Sequence, residues 1–240
     1  MSEIFLREQM LIGQAAVEKL WGCHVAVLGL GGVGSWCAEA LARSGVGELT
    51  VVDEDVVSTT NINRQLIATC STVSMYKASV LERRIKDISP KTTVNAKKIR
   101  YEAATRDEFF SQDYDYIVDA IDLVTCKLDL ILSAMERGVP IISALGTGNK
   151  LRAELFQICD ISKTTGCPLA RVVRRELRAK GVLHHKVVYS PELARTPEQL
   201  EAPAPGRRST PGSIAWVPAS AGLLLAQEVV LALSGISEKG

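Results

Sequence analysis

Three features are missing from this 240-residue sequence: closely spaced cysteine pairs, an excess of charge and an apolar leader. None of the six cysteines forms a C-x-x-C pair, so the pattern indicates neither a zinc knuckle nor a dithiol redox motif. The formal net charge is only +1, so any contact with nucleic acid has to come from a local patch. The start, MSEIFLREQM, has no apolar run behind basic residues, and we expect a cytoplasmic protein.

One long apolar stretch, residues 214–236, is the only segment whose length suggests a membrane span. Pro218, Gln227 and Glu228 interrupt it. We interpret it as a buried helix, in the core or at a dimer interface, and expect no membrane insertion.

Short β-branched runs alternate with amphipathic stretches through the first 145 residues, after one predicted amphipathic helix over residues 1–20. This alternation predicts an α/β fold with a doubly wound, mostly parallel sheet of the Rossmann type. The predicted strands are 24–29, 49–53, 94–99, 116–119 and 140–144, and the predicted helices are 35–44, 77–88 and 126–137.

The pattern changes after residue 145, where strands 155–161 and 186–189 flank a basic helix over 168–179. We expect these strands to extend the sheet. Residues 192–211 hold four prolines and predict a mobile loop. Because no linker is visible, we predict one domain over 1–240, with a nucleotide-binding half (1–145) and a substrate and dimer half (146–240).

A glycine-rich turn, GLGGVG, connects the first predicted strand to the following helix. Glycines let the backbone approach a nucleotide closely, and the helix N-terminus offers free N–H groups to phosphate. Asp53, about 20 residues on, is placed to accept ribose hydroxyls. The predicted nucleotide-binding residues are Gly29, Gly31, Gly32, Gly34 and Asp53. These residues alone leave both NAD and ATP open.

The polar loop after Asp53 favours ATP. Arg64 offers a fork of donors to a triphosphate, and we expect Asn61 and Gln65 to orient it. Lys77, on the next predicted helix, can add a point charge to the same phosphates. An NAD-dependent dehydrogenase has little use for such a loop and is the less favoured alternative.

The GxGGxG turn, the acid and the Asn-x-x-Arg-Gln loop resemble the ThiF/MoeB/ubiquitin-activating superfamily. The resemblance implies ATP and Mg²⁺ as cofactors, with Asp122 as the magnesium ligand. It also implies a homodimer in which Arg7 reaches a triphosphate, in its own subunit or in its neighbour's. The predicted catalytic residues are Arg64, Lys77, Asp122 and Arg7.

Further stretches resemble one branch of that superfamily, the tRNA threonylcarbamoyladenosine dehydratases. They are residues 32–36 (GVGSW), 119–122 (DAID), 146–150 (GTGNK), 160–164 (DISKT) and 212–218 (GSIAWVP). The resemblance implies adenylation of the threonyl carboxylate in a tRNA anticodon loop, then cyclisation with net dehydration and release of AMP. The chain departs from this branch at Cys167-Pro168 and at Arg152-Ala153.

Another carboxylate is the main alternative: the C-terminus of a ubiquitin-like sulfur-carrier protein. A sulfur-relay partner, a monovalent ion and a role for Cys167 are left open by the sequence.

A tRNA substrate needs a cationic surface, and residues 168–186 offer one. The predicted RNA-binding residues are Arg171, Arg174, Arg175, Arg178 and Lys186. We interpret His184 and His185 as surface residues.

Overall fold

The computed structural model describes residues 3–200 and 210–236. Part of the predicted mobile loop, residues 201–209, therefore lies outside the described residues. The strands are β1 His24–Leu28, β2 Glu48–Val52, β3 Thr93–Lys97, β4 Tyr116–Asp119, β5 Ile141–Ala144, β6 Gln157–Asp160 and β7 Lys186–Tyr189. The helices are α1 Leu6–Ile12, α2 Gln14–Trp21, α3 Gly34–Arg43, α4 Lys77–Ile88, α5 Arg106–Phe109, α6 Val124–Glu136, α7 Pro168–Ala179 and α8 Trp216–Ser234.

The seven strands form one sheet in the order β3-β2-β1-β4-β5-β7-β6. Every neighbouring pair is parallel except β6 with β7. The predicted doubly wound, mostly parallel sheet is confirmed, and so is its extension by the C-terminal strands.

Both faces of the sheet are covered, which explains why the central strands read as nearly continuous apolar runs. On one face, buried residues of α3, α4 and α8 form a core with β1 and β2. On the other face, α6 and α7 pack against β1, β4, β5 and β7. The layers are those of an α/β sandwich.

Helix α8 is the long apolar stretch at the C-terminal end. It is long and apolar enough to cross a membrane by composition, and half of the apolar window is buried. It packs along α3 so closely that a Cβ on Gly222 would lie 2.4 Å from the Val33 carbonyl oxygen. One face of α8 is buried in the core, as expected for this segment. Trp216 and Leu223 lie on its exposed face.

The N-terminal segment differs from the prediction of one helix over residues 1–20. It forms α1 and α2, separated at Gly13, which has φ +86° and ψ +158°. Only glycine occupies this region readily, so the chain turns there instead of continuing the helix.

The strand order reverses between β1 and β4, because the chain moves outward to β3 before returning to β4. In open α/β sheets a crevice opens at such a switch point, at the carboxyl ends of the strands. The turns that follow β1 and β4 flank this crevice.

Candidate active site

The glycine-rich turn after β1 lies directly against the turn after β4. Gly29 has φ +87°, and a Cβ there would lie 2.6 Å from the Ala120 carbonyl oxygen. A Cβ on Gly34 would lie 1.8 Å from the Gly29 carbonyl oxygen. Side chains are therefore excluded at both positions. Helix α3 begins at Gly34, so its positive N-terminal end lies at this turn, where it favours an anion.

Asp53 fixes the glycine-rich turn from the end of β2. Its Oδ2 accepts the Leu30 amide at 2.7 Å, and its Oδ1 accepts the Asp55 amide at 2.9 Å. Each carboxylate oxygen has a second lone-pair site, so ribose hydroxyls can still be accepted. Burial raises the pKa of Asp53, and Lys77 and the two amides oppose that rise.

Lys77, predicted as a point charge for the phosphates, lies beside this acid. Its side chain is buried, and its Nζ donates to Asp55 Oδ2 at 2.8 Å and lies 3.7 Å from Asp53 Oδ1. The two carboxylates hold the ammonium group beside the predicted ribose position, where it can also meet phosphate.

The loop over residues 58–66 is shaped by its own polar groups. Asn61 Oδ1 accepts the Ser58 amide at 3.1 Å, and the Asn61 carbonyl accepts the Arg64 amide at 3.1 Å. The Arg64 guanidinium donates to Thr60 O at 2.8 Å and to Asn63 Oδ1 at 2.9 Å. Asn63 is therefore an orienting contact of Arg64 that the sequence did not predict, and the Asn61 side-chain oxygen caps the loop.

Two residues join this loop to the glycine-rich turn. Ser35 Oγ donates to Gly31 O at 2.6 Å and accepts the Leu66 amide at 3.3 Å. Trp36 Nε1 donates to Arg64 O at 3.2 Å. These roles of Ser35 and Trp36 were not predicted, although both residues directly follow the last glycine of the motif. Arg64 is consequently held next to Gly32.

Gln65 lies under the same turn. It is buried, its Nε2 lies 3.8 Å from where a Gly31 Cβ would be, and its Oε1 has no hydrogen-bond partner among the described residues. A buried unpaired acceptor is costly, so a donor arriving with a ligand would be favoured there.

Asp122 is exposed in the turn between β4 and α6. Among the residues described, no group of three or more His, Cys, Asp or Glu side chains is placed to hold a metal ion. Magnesium needs no such group, since it is bound through one or two carboxylates together with substrate phosphates and water. A single carboxylate beside a phosphate crevice therefore fits Mg²⁺.

Arg7 lies on α1 and is exposed. Helix α1 precedes Gly13 in the sequence and packs on α2, which follows it. The residue before α1, Phe5, lies 3.5 Å from where a Gly45 Cβ would be, at the opposite end of α3 from the glycine-rich turn.

The predicted RNA-binding residues divide into two groups. Arg171, Arg175 and Arg178 recur on the exposed face of α7. Arg174 turns inward and donates to Thr164 O at 2.8 Å, and Lys186 forms an ion pair with Glu228 of α8. The last two side chains therefore have structural contacts that compete with a phosphate.

Cys167 is buried at the N-terminus of α7, where its Sγ accepts the Ala170 amide at 3.5 Å. The thiol serves as the cap of the helix.

His185 is buried, contrary to the interpretation of both histidines as surface residues. Its Nε2 lies 2.8 Å from Ser143 Oγ. Burial, and secondly the charge of Lys127, lower the pKa of His185 to about 3, against a smaller opposing effect of Asp160. His184 is exposed as expected, and its Nδ1 lies 3.3 Å from Asp160 Oδ2.

Comparison with known proteins agrees with this geometry. The model of the ThiF family matches residues 5–240. The chain belongs to the ThiF family. Over 238 residues this ThiF-family chain is 42% identical to the tRNA threonylcarbamoyladenosine dehydratase of Bacillus subtilis, covering 95% of this chain and 94% of that protein.

Solved structures of the Escherichia coli tRNA threonylcarbamoyladenosine dehydratase, TcdA, are also similar. The TcdA complex with ATP has a TM-score of 0.86 at 31% identity, covering 96% of this chain and 93% of that one. The complex with AMP has a TM-score of 0.87 at 31% identity, covering 96% and 94%. The similarity thus extends over the crevice and over the C-terminal half.

The burial of His185 predicts an acid-sensitive fold. A histidine whose folded pKa lies below its unfolded value of about 6.5 stabilises the protein fully above pH 6.5, and this stability is lost as the pH falls towards 3. We expect a loss of about 2 kcal/mol between pH 6.5 and pH 5 from this group. Urea unfolding at both pH values measures it.

The control is the neighbouring residue. His185→Asn should remove this part of the pH dependence, and His184→Asn should keep it, since His184 is exposed. Equal pH dependence in wild type and His185→Asn would contradict the assignment.

Proposed function

We propose that this chain is an ATP-dependent tRNA threonylcarbamoyladenosine dehydratase. The proposal rests on one observation: at the switch point of the sheet, hydrogen bonds and an ion pair join the glycine-rich turn to Asp53, Lys77 and Arg64. Relatives that align over nearly the whole chain have this activity by name, and TcdA has been solved with ATP and with AMP.

The crevice binds the nucleotide in a defined orientation. Asp53 accepts the ribose hydroxyls, and the amides at the start of α3 and the Arg64 fork face the phosphates. Asp122 would hold Mg²⁺, which supplies positive charge to the β- and γ-phosphates when bound.

The first step is attack of the threonyl carboxylate on the α-phosphorus. The bond to the bridging oxygen breaks, and pyrophosphate leaves with the negative charge that develops on it. This charge is offset by Lys77, Arg64 and Arg7. Because the charge grows as the bond breaks, these cations stabilise the transition state more than the ground state.

The second step closes a ring within the modified adenosine. The carbamoyl group attacks the activated acyl carbon, loses its proton, and expels AMP. The oxygen removed from the carboxylate leaves with AMP, so the nucleoside loses one water overall. No protein nucleophile is required, which agrees with the use of the Cys167 thiol as a helix cap.

The surfaces that bind the tRNA substrate and the second subunit lie outside the crevice. We assign 1–145 to nucleotide binding and 146–240 to substrate binding and dimer contacts, in a cytoplasmic enzyme. Arg7 lies on a helix whose Leu6, Met10 and Leu11 are exposed, and Trp216 and Leu223 are exposed on α8. Covering these apolar residues in a homodimer would bring Arg7 towards the partner's triphosphate.

The substrate is tested by the formation of AMP. We expect AMP to form from ATP only with tRNA that carries threonylcarbamoyladenosine, and not with the unmodified transcript. Arg64→Ala and Lys77→Ala should each lower the rate about 100-fold, because each removes a charge from the phosphates. Chromatography of the nucleotides measures this.

Arg137→Ala is the matched control, since Arg137 lies at the far end of α6 from Asp122. It should leave the rate unchanged. AMP formation driven by a small protein with a free C-terminal glycine, and not by the tRNA, would favour the sulfur-carrier alternative and contradict the proposal.

The exposed face of α7 predicts a salt-dependent tRNA affinity. Affinity for tRNA falls as salt rises, so the slope of log affinity against log salt is negative. Replacing Arg171, Arg175 or Arg178 with alanine should make this slope less steep by about 1 for each phosphate that is no longer neutralised. Filter binding at several salt concentrations measures the slope.

Arg83→Ala serves as the control, because Arg83 is exposed on α4 on the other side of the sheet. A slope that falls equally in Arg83→Ala and in the α7 variants would show that α7 is not the RNA surface.

A further inference from the structure

A buried chain of polar side chains lies beneath the turn that carries Asp122. Asp119 and Lys127 are both 0% exposed, Ser143 is also 0% exposed, and His185 is 3% exposed. They come from β4, α6, β5 and the residue before β7, and meet on the α6 side of the sheet. We call these four residues the polar network.

The hydrogen bonds of the polar network run in one direction, from His185 through Ser143 to the Asp119 carboxylate. Ser143 Oγ donates to Asp119 Oδ2 at 2.6 Å. Since serine has one proton, His185 Nε2 must carry a proton and donate to Ser143 Oγ at 2.8 Å. His185 Nδ1 is then an acceptor, and it has no partner among the described residues.

Lys127 completes the coordination of the carboxylate. Its Nζ donates to Asp119 Oδ2 at 2.6 Å and to Ala144 O at 3.1 Å. The remaining oxygen, Asp119 Oδ1, accepts the Ile121 amide at 3.0 Å. Asp119 is thereby fixed by three donors, and it fixes the backbone of the turn directly before Asp122.

The same turn supports the nucleotide site. Ala120 donates its amide to Leu28 O at 2.9 Å, and the carbonyl of Ala120 is the atom against which Gly29 packs. A displacement of the turn would therefore move both the glycine-rich turn and the Asp122 carboxylate.

Stability alone gives little reason to bury this ion pair. Removing two charges from water is expensive, and apolar replacements of such pairs are often neutral or stabilising. The ion pair instead fixes the orientation of the Asp119 carboxylate, because a buried carboxylate whose hydrogen bonds are all made has a single orientation.

We infer that Asp119, Lys127, Ser143 and His185 are positioning residues that hold the Ala120–Ile121 turn, so that Asp122 binds Mg²⁺ with the nucleotide. This inference rests on the proposed function, because it takes Asp122 as the magnesium ligand. The network does not touch substrate. It acts through the backbone between Asp119 and Asp122.

The first test is Ser143→Ala, which removes the central hydroxyl. We expect hydrogen exchange of the Ile121 amide, measured on the nucleotide-free protein, to become about 10-fold faster as its acceptor loosens. The magnesium concentration that half-saturates ATP binding in calorimetry should rise severalfold, up to the roughly 10-fold that removal of a direct partner of a metal ligand causes.

Two further variants keep the test decisive. Ser133→Ala removes a buried serine of α6 that is outside the polar network, and it should change neither measurement. The double variant Asp119→Asn, Lys127→Met removes both charges together, so no unpaired charge stays buried. It should reproduce both effects of Ser143→Ala even if its melting temperature matches that of the wild type.

The inference is overturned if Ser143→Ala and the double variant fold but leave Ile121 exchange and the magnesium midpoint unchanged. Asp122→Asn separates this from failure of the proposed function. It should raise the magnesium midpoint while Ile121 exchange stays as in the wild type. An unchanged midpoint in Asp122→Asn would remove Asp122 as the ligand, whatever the exchange data show.

Discussion

The close approach of two turns at the switch point of the sheet is the constraint on which the rest of the site depends. The Gly29 turn and the Ala120 turn touch backbone to backbone, with no room for a side chain between them. Because β1 and β4 pair directly in the sheet, this contact lies where their carboxyl ends meet. Asp53 accepts the Leu30 amide of the glycine-rich turn, and Ser35 attaches the loop that contains Leu66 to the same turn. The backbone of Arg64 is attached to this turn through Trp36, and its guanidinium is held within its own loop by Thr60 and Asn63.

The sequence was sufficient for features that depend on local chemistry. The bounds of α4, α7, β4 and β7 agree with the prediction because apolar spacing and helix ends are local signals. Asp53 and Lys77 lie at one edge of the sheet, because β2 ends there and the helix that follows it, α4, begins there. The break at Gly13 was missed, since a lone glycine within an amphipathic pattern does not reveal its backbone angles.

Features that depend on distant residues could not be read from the sequence. The segment LHHK is locally polar, so nothing in it shows that His185 points inward to Ser143 while His184 does not. The four residues of the polar network span positions 119 to 185, and their only local signal is a lysine on the apolar side of α6. Likewise, the spacing of arginines on α7 did not show that Arg174 faces Thr164. Tertiary contacts decide which cations remain available to RNA.

One measurement addresses the central claim most directly: the mass of the modified nucleoside after reaction. The wild-type chain is incubated with ATP, magnesium and tRNA that carries threonylcarbamoyladenosine, and the tRNA is digested to nucleosides. We expect this nucleoside to lose the mass of one water. An unchanged nucleoside mass, from protein that still binds ATP, would contradict the assignment of the tRNA carboxylate as substrate.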